Sequence, residues 1–149
     1  MIRPAKINDV KQIQKLINLF AEKKEMLPRS LNEIYENIQE FTVCEIRGKI
    51  TGCCALHVTW DSLAEIKCLA VISHLHGKGI GRQLVEKSVK NARKLGVKKI
   101  FALTFKPSFF KSLGFRYTDK EKLPHKIWSE CIHCPFFPDC KETALTKKI

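Results

Sequence analysis

The chain has 149 residues, a length that suits one domain and is short for two. Hydrophobic residues make up 44% and charged residues 28%, which excludes an intrinsically disordered composition; no apolar run reaches the roughly 18 to 20 residues of a membrane-spanning helix. The formal charge is +12 and lies almost wholly in the second half: residues 1–75 carry 10 basic and 9 acidic groups, residues 76–149 carry 17 and 6.

An excess of that size points to a polyanionic ligand, either nucleic acid or a cofactor with several phosphates, unless the lysines serve only solubility. Arg3, Lys6, Asp9 and Lys11 break up any signal-peptide core. The seven cysteines are odd in number and include the neighbours Cys53 and Cys54, which point to opposite faces of a strand. They do not read as a disulfide framework, and a reducing, cytoplasmic location is expected.

A short strand over residues 1–5 comes first. Asn8 reads as a cap for a helix that buries Val10, Ile13, Leu16, Ile17 and Phe20. After Leu27-Pro28, Ser30 and Glu33 form a capping box that opens a second helix with Leu31, Ile34 and Ile38 inward. Residues 41–47 and 50–59 read as strands around Gly48, and residues 65–72 as a strand in the middle of a sheet. Residues 79–95 form the clearest helix, with Ile80, Leu84, Val85, Ser88, Val89, Ala92 and Leu95 on one face and Gly96 as its stop. A strand over 99–105, a short helix over 107–113 and closing strands over 115–118 and 143–146 complete a mixed α/β chain. One domain over 1–149 is expected, with a Cys/Pro-rich insertion at about 119–141.

Three of the seven glycines fall in His76-Gly77-Lys78-Gly79-Ile80-Gly81, between a buried strand and the best helix. Glycines there allow close backbone approach to a ligand, and the free N–H groups of a helix start bind phosphate. Lys78 and Arg82 add positive charge. The loop lacks the Gly-Lys-Ser/Thr ending of a Walker loop, and a tight strand-to-helix turn would use the same residues.

The longer stretch Cys68-Leu69-Ala70-Val71-Ile72-Ser73-His74-Leu75-His76-Gly77-Lys78-Gly79-Ile80-Gly81-Arg82-Gln83-Leu84 resembles the acetyl-CoA-binding motif of the GNAT acetyltransferases, and Phe109-Phe110-Lys111-Ser112-Leu113-Gly114-Phe115 resembles their late helix-turn. The resemblance implies a single GNAT domain with a splayed, mostly antiparallel twisted sheet flanked by helices. It implies acetyl-CoA as cosubstrate, held by Leu69, Ala70, Val71, Gly77, Lys78, Gly79, Ile80, Gly81 and Arg82, with the Val71 N–H facing the thioester oxygen. The family usually has Arg or Gln where this chain has His76; most contacts from this loop are made by backbone, so binding is expected to survive.

Four segments, Met26-Leu27-Pro28-Arg29-Ser30-Leu31-Asn32-Glu33-Ile34, Ala55-Leu56-His57-Val58-Thr59-Trp60-Asp61, Ala64-Glu65-Ile66-Lys67-Cys68-Leu69-Ala70-Val71 and Leu103-Thr104-Phe105 with the late helix-turn, resemble the acetyltransferase domain of N-acetylglutamate synthases. The similarity is closest to the short single-domain group. That likeness implies transfer of acetyl to the α-amino group of L-glutamate, the first step of arginine biosynthesis, by direct attack in a ternary complex. Glutamine, another small amine or a protein lysine are the alternative acceptors. Under it Glu65 is the base, acting through water, and Val71 the oxyanion donor. Arg29 is the leading carboxylate ligand, with Lys67, Lys106 and Arg116 as second partners. Many relatives use a Tyr acid where this chain has Phe110, so water or a hydroxyl such as Ser108 is left for that role. His57 and Trp60 read as strand packing.

Cys131, Cys134 and Cys140 supply three soft ligands, with His125 or His133 as a fourth for a structural zinc; a redox-sensitive pair or buried thiols under a substrate lid are the alternatives. A nucleic-acid face on the basic half is the competing reading from another class. The sequence contains no recognised module for it, so neither nucleic acid nor membrane is expected as a partner. A homodimer is left open.

Overall fold

The computed structural model describes residues 1–123 and 142–149. Seven strands form one sheet in the order β1-β2-β3-β4-β5-β7-β6: β1 (Ile2–Pro4), β2 (Phe41–Ile46), β3 (Lys49–Trp60), β4 (Leu63–Val71), β5 (Lys99–Thr104), β6 (Arg116–Tyr117) and β7 (Thr143–Lys148). Every pairing is antiparallel except β4 with β5. The expected fold class is therefore the observed one. Among the described residues four α-helices flank the sheet: α1 (Val10–Glu22), α2 (Leu31–Glu36), α3 (Ile80–Leu95) and α4 (Pro107–Ser112).

Two apolar layers sandwich the sheet. On one face Val10, Ile13, Ile17 and Ile34 of α1 and α2 meet Val43, Cys53, Ala55 and Ala70. On the other, Leu84, Val85, Val89 and Ala92 of α3 meet Cys54, Leu56, Ile66 and Ile100. The 3.6-residue period of both long helices predicts these faces, with one exception. Leu95, expected inward, is 67% exposed, because the helix has run past the edge of its packing surface at the Gly96 cap. Gly52 sets how closely α3 approaches: a Cβ there would stand 3.0 Å from Leu84 Cδ1 and 3.2 Å from Ile80 Cγ2.

The helix starts differ from expectation in one case. Ser30 caps α2 as expected, accepting from the Glu33 N–H at 3.1 Å. Asn8, expected to cap α1, is exposed; the turn before α1 is a 3₁₀ turn over Ile7–Asp9, and Asp9 accepts from the Lys6 N–H at 2.8 Å. Asp9 stands at the N-cap position of α1, but its side chain makes no capping bond to that helix, because Arg3 holds it inward. The Arg3 guanidinium donates to both Asp9 oxygens at 2.8 and 3.0 Å and to Glu45 at 2.6 Å, joining β1, β2 and the turn that leads into α1 through one planar fork. The closing strands differ from expectation in opposite directions: β7 runs on to Lys148, whereas β6 keeps only two residues, since Phe115 turns into the core instead of the ladder.

Hydrogen bonds from Arg3 hold the Asp9 carboxyl below its ordinary value of 3.8, against the opposing effect of burial. A carboxyl lowered in the native state stabilises it above the unfolded pKa and loses that contribution as the pH falls through the native value. Asp9→Asn is expected to cost about 2 kcal/mol at pH 7. The deficit should shrink below pH 3.8, as checked by urea melts of both chains at pH 7 and pH 3.

Candidate active site

Strands β4 and β5 begin as parallel neighbours and then part. Their register is Leu63↔Lys99, Ala64↔Ile100 and Glu65↔Phe101, and it goes no further. Beyond that point β4 continues to Val71 against β3, and β5 continues to Thr104 against β7. The two strands therefore diverge at their C-terminal ends. In an open α/β sheet that is where ligands bind.

A second irregularity reshapes the same edge. Cys53 pairs with Ala70 but Ala55 pairs with Lys67, so Cys68 and Leu69 together oppose Cys54 as a β-bulge. Cys68 takes φ +55°, unusual for a residue with a side chain. The bulge reverses the alternation of faces: Ala64 and Ile66 pack toward α3, whereas beyond it Leu69 and Val71 do so while Cys68 and Ala70 face α1.

A cavity of about 520 Å³ opens in the fork. One wall is β4 from Glu65 to Val71, and the opposite wall is Leu103, Thr104, Phe105 and Lys106. Gly77, Gly79, Ile80, Gly81 and Arg82 close one end, and Met26, Leu27 and Arg29 the other. Gly77 and Gly79 adopt φ +81° and +83°, conformations that favour glycine. Gly81 admits Phe109, whose ring would lie 3.3 Å from a Cβ there. Phe109, Phe110 and Phe115 stack edge to face, with centroids 5.2 Å apart in each pair, and fill the base of the fork.

Of the candidates named from sequence, Glu65, Leu69, Ala70, Val71, Gly77, Gly79, Ile80, Gly81, Arg82, Arg29, Lys67 and Lys106 share this cavity. Lys78 is exposed and is not one of its lining residues; Arg116 lies on β6 and is not one either. Glu65 is 7% exposed. Arg29 is mostly buried and pairs with Glu33 at 3.4 Å, Lys106 stands 4.0 Å from Glu25, and Arg82 pairs with Glu86 at 3.1 Å. Phe110 is buried in the aromatic cluster, so no hydroxyl occupies that position.

Two expectations need correction. His57 does not simply pack: its Nδ1 lies 2.6 Å from Glu40, and it stands directly opposite Glu65 across the β3–β4 ladder. No sequence signal links Glu40 to His57, because their contact depends on register. Trp60 is 56% exposed, since β3 runs beyond the layer that would cover it. The zinc candidates Cys131, Cys134 and Cys140, with His125 and His133, lie outside the described residues. Among the described residues no group of three His, Cys, Asp or Glu side chains could hold a metal, and no helix is long and apolar enough to cross a membrane.

The two thiols of β3, Cys53 and Cys54, are poor nucleophiles. Cys53 donates to the Cys68 carbonyl at 3.3 Å, and burial pushes its pKa well up. Cys54 is pushed up to about 12, again chiefly by burial. Iodoacetamide at pH 8 should therefore leave Cys53 and Cys54 unmodified in the native chain and alkylate both after denaturation, as peptide mapping by mass spectrometry would show.

Comparison with known proteins agrees with this geometry. A profile of the acetyltransferase (GNAT) family matches residues 7–115. The uncharacterised N-acetyltransferase CT2212 of Chlorobaculum tepidum is 38% identical over 148 residues, 99% of this chain and 96% of that protein. An amino-acid acetyltransferase of Mycobacterium tuberculosis is 36% identical over 133 residues, covering 87% of this chain and 76% of its own. Among solved structures, N-acetylglutamate synthase of Neisseria gonorrhoeae, complexed with coenzyme A and N-acetyl-glutamate, superposes with a TM-score of 0.91 at 27% identity, over 99% of this chain and 34% of that one.

Proposed function

The chain belongs to the GNAT acetyltransferase family and is an acetyl-CoA-dependent enzyme, and we propose that it transfers acetyl from acetyl-CoA to the α-amino group of L-glutamate. The observation that carries this reading is the composition of one cavity: the stretch of β4 beyond its last pair with β5, a glycine-rich helix start, a buried carboxylate and four cations from separate elements line the same space.

Each part has a task in the reaction. The helix start at residues 77–82, with Arg82, takes the pyrophosphate. The open edge of β4 at Leu69 and Ala70 takes the amide-bearing arm, and the Val71 N–H donates to the thioester oxygen as negative charge gathers there. An amino group is mostly protonated at neutral pH, so a proton must leave before attack; Glu65 accepts it through water. The nitrogen then attacks the carbonyl carbon; as the C–N bond forms and the C–S bond breaks, the nitrogen gives its second proton to water and the thiolate takes one from that water. With a thiol pKa near ~8.5, CoA leaves without a dedicated acid, which suits the phenylalanine at position 110.

Glutamate brings two carboxylates to this space. In this reading Arg29 offers a planar fork for one of them, and Lys67 and Lys106, which line the same cavity, serve the other. Arginine biosynthesis is the pathway this product would enter. A second reading rests on Glu25: its carboxylate beside Lys106 leaves less positive charge for a second anion, which favours glutamine, whose side chain is neutral.

The test is incubation with acetyl-CoA and single amino acids, with mass detection of the product. N-acetylglutamate is the expected product, and N-acetylglutamine alone would carry the second reading. Glu65→Gln should lower kcat by about 10²-fold or more. Arg29→Ala should lower kcat/KM for glutamate by about 10- to 100-fold through KM, with little change in the KM for acetyl-CoA. Full activity in either variant would overturn the role given to that residue.

A further inference from the structure

The loop that closes the phosphate end of the cavity carries one side chain to which the acetyl-transfer reading gives no task. His76 begins that loop and lines the cavity rim. Its Nε2 lies 2.6 Å from the carbonyl oxygen of Val71, the last residue of β4. A carbonyl only accepts, so the imidazole must carry its proton on Nε2. The same ring lies nearly parallel to Phe20 of α1, with centroids 6.2 Å apart and planes 18° off. The connection between them is a 3₁₀ turn over Ser73–Leu75, closed by the His76 N–H on the Ser73 carbonyl at 3.1 Å. One side chain thus folds back across the turn and ties the loop to the strand end and to the first helix.

We propose that His76 is a positioning residue for the cosubstrate: its tether fixes the separation between the thioester end of the site at Val71 and the pyrophosphate end at residues 77–82. The inference rests on the acetyl-transfer reading and adds a residue to it. A long, flexible ligand that touches both ends binds more weakly when their relative motion must be frozen on binding, so a side chain that freezes it beforehand raises affinity. The backbone of the loop supplies the phosphate contacts, and His76 decides where that backbone stands relative to β4. Glutamine, with an N–H donor on a side chain of similar reach, can make the same tether. Phenylalanine can keep the stacking on Phe20 but has no donor. His76 is exposed, so these exchanges leave the core untouched.

Isothermal titration with CoA, together with steady-state kinetics, separates the contributions. His76→Ala and His76→Phe are expected to raise the Kd for CoA and the KM for acetyl-CoA about tenfold, the worth of one hydrogen bond, with the acceptor KM unchanged. His76→Gln should return both to within about threefold of the original chain. Melting temperatures measured alongside exclude a folding defect. Unchanged CoA affinity in His76→Ala would overturn the proposal, and so would wild-type affinity in His76→Phe, which would credit the stacking alone. If the unsubstituted chain bound no CoA, the acetyl-transfer reading would fail; if it bound CoA and His76→Ala bound equally well, the role of His76 alone would fail.

Discussion

The early end of the β4–β5 ladder is the constraint on which the rest of the molecule depends. A parallel strand pair in the interior of a sheet ordinarily satisfies its backbone along its whole length. Here three residue pairs are made and then the strands part. Leaving N–H and C=O groups of a central strand without a ladder partner is costly unless water or a ligand takes them up. The neighbouring features keep the fork open. Gly52 brings α3 tight against β3, Gly81 lets Phe109 slide under the helix start, and the three phenylalanines occupy the base. The bulge at Cys68 then redirects this stretch of β4, so that successive residues of one strand serve two different surfaces.

Charge is organised around that fork in two distinct ways. In the first half of the chain the cations are largely matched: Arg3 is shared by Asp9 and Glu45, and Arg29 is steadied by Glu33. In the second half the excess remains, much of it on the polar face of α3, where Lys87, Lys90, Arg93 and Lys94 follow Arg82. Among the described Lys and Arg residues of that half, Arg82 and Lys106 line the cavity. The field of the helix therefore acts from a distance, drawing an anionic ligand toward the opening, while a few side chains make the contacts. A phosphate-bearing cosubstrate accounts for the sign of this excess better than for its full extent.

Much of the architecture was legible from periodicity and glycine placement. The helical faces of α1 and α3, the Ser30 cap, the central position of β4 and the Gly96 stop all follow from local rules, and the structure agrees with them. The family resemblance added the fork, which no local rule predicts, since splaying is a property of two strands that are distant in sequence. The failures share one cause. Asn8 does not cap α1, and its neighbour Asp9 is held inward by Arg3, which Glu45 also binds, through tertiary contacts; Phe115 left the strand pattern for an aromatic cluster. The pairing of His57 with Glu40 depends on register across two elements, which a linear pattern does not encode. In the site, charged and glycine residues were found because they are rare and chemically marked. Phe20, Leu75 and Phe109 were not, because an aromatic or apolar side chain reads the same whether it faces a core or a cavity.

The sheet order carries a consequence for how the chain is made. β7 lies between β5 and β6 and pairs with both, although it follows them in sequence. When residues 1–117 have left the ribosome, β5 still exposes an open edge carrying the buried residues Ile100, Phe101 and Ala102. That edge stays uncovered until residues 143–148 emerge, insert beside it and complete one wall of the fork. Nascent chains stalled before that point would present a sticky strand and a half-built cavity, which makes this interval in synthesis the stage most exposed to misassembly.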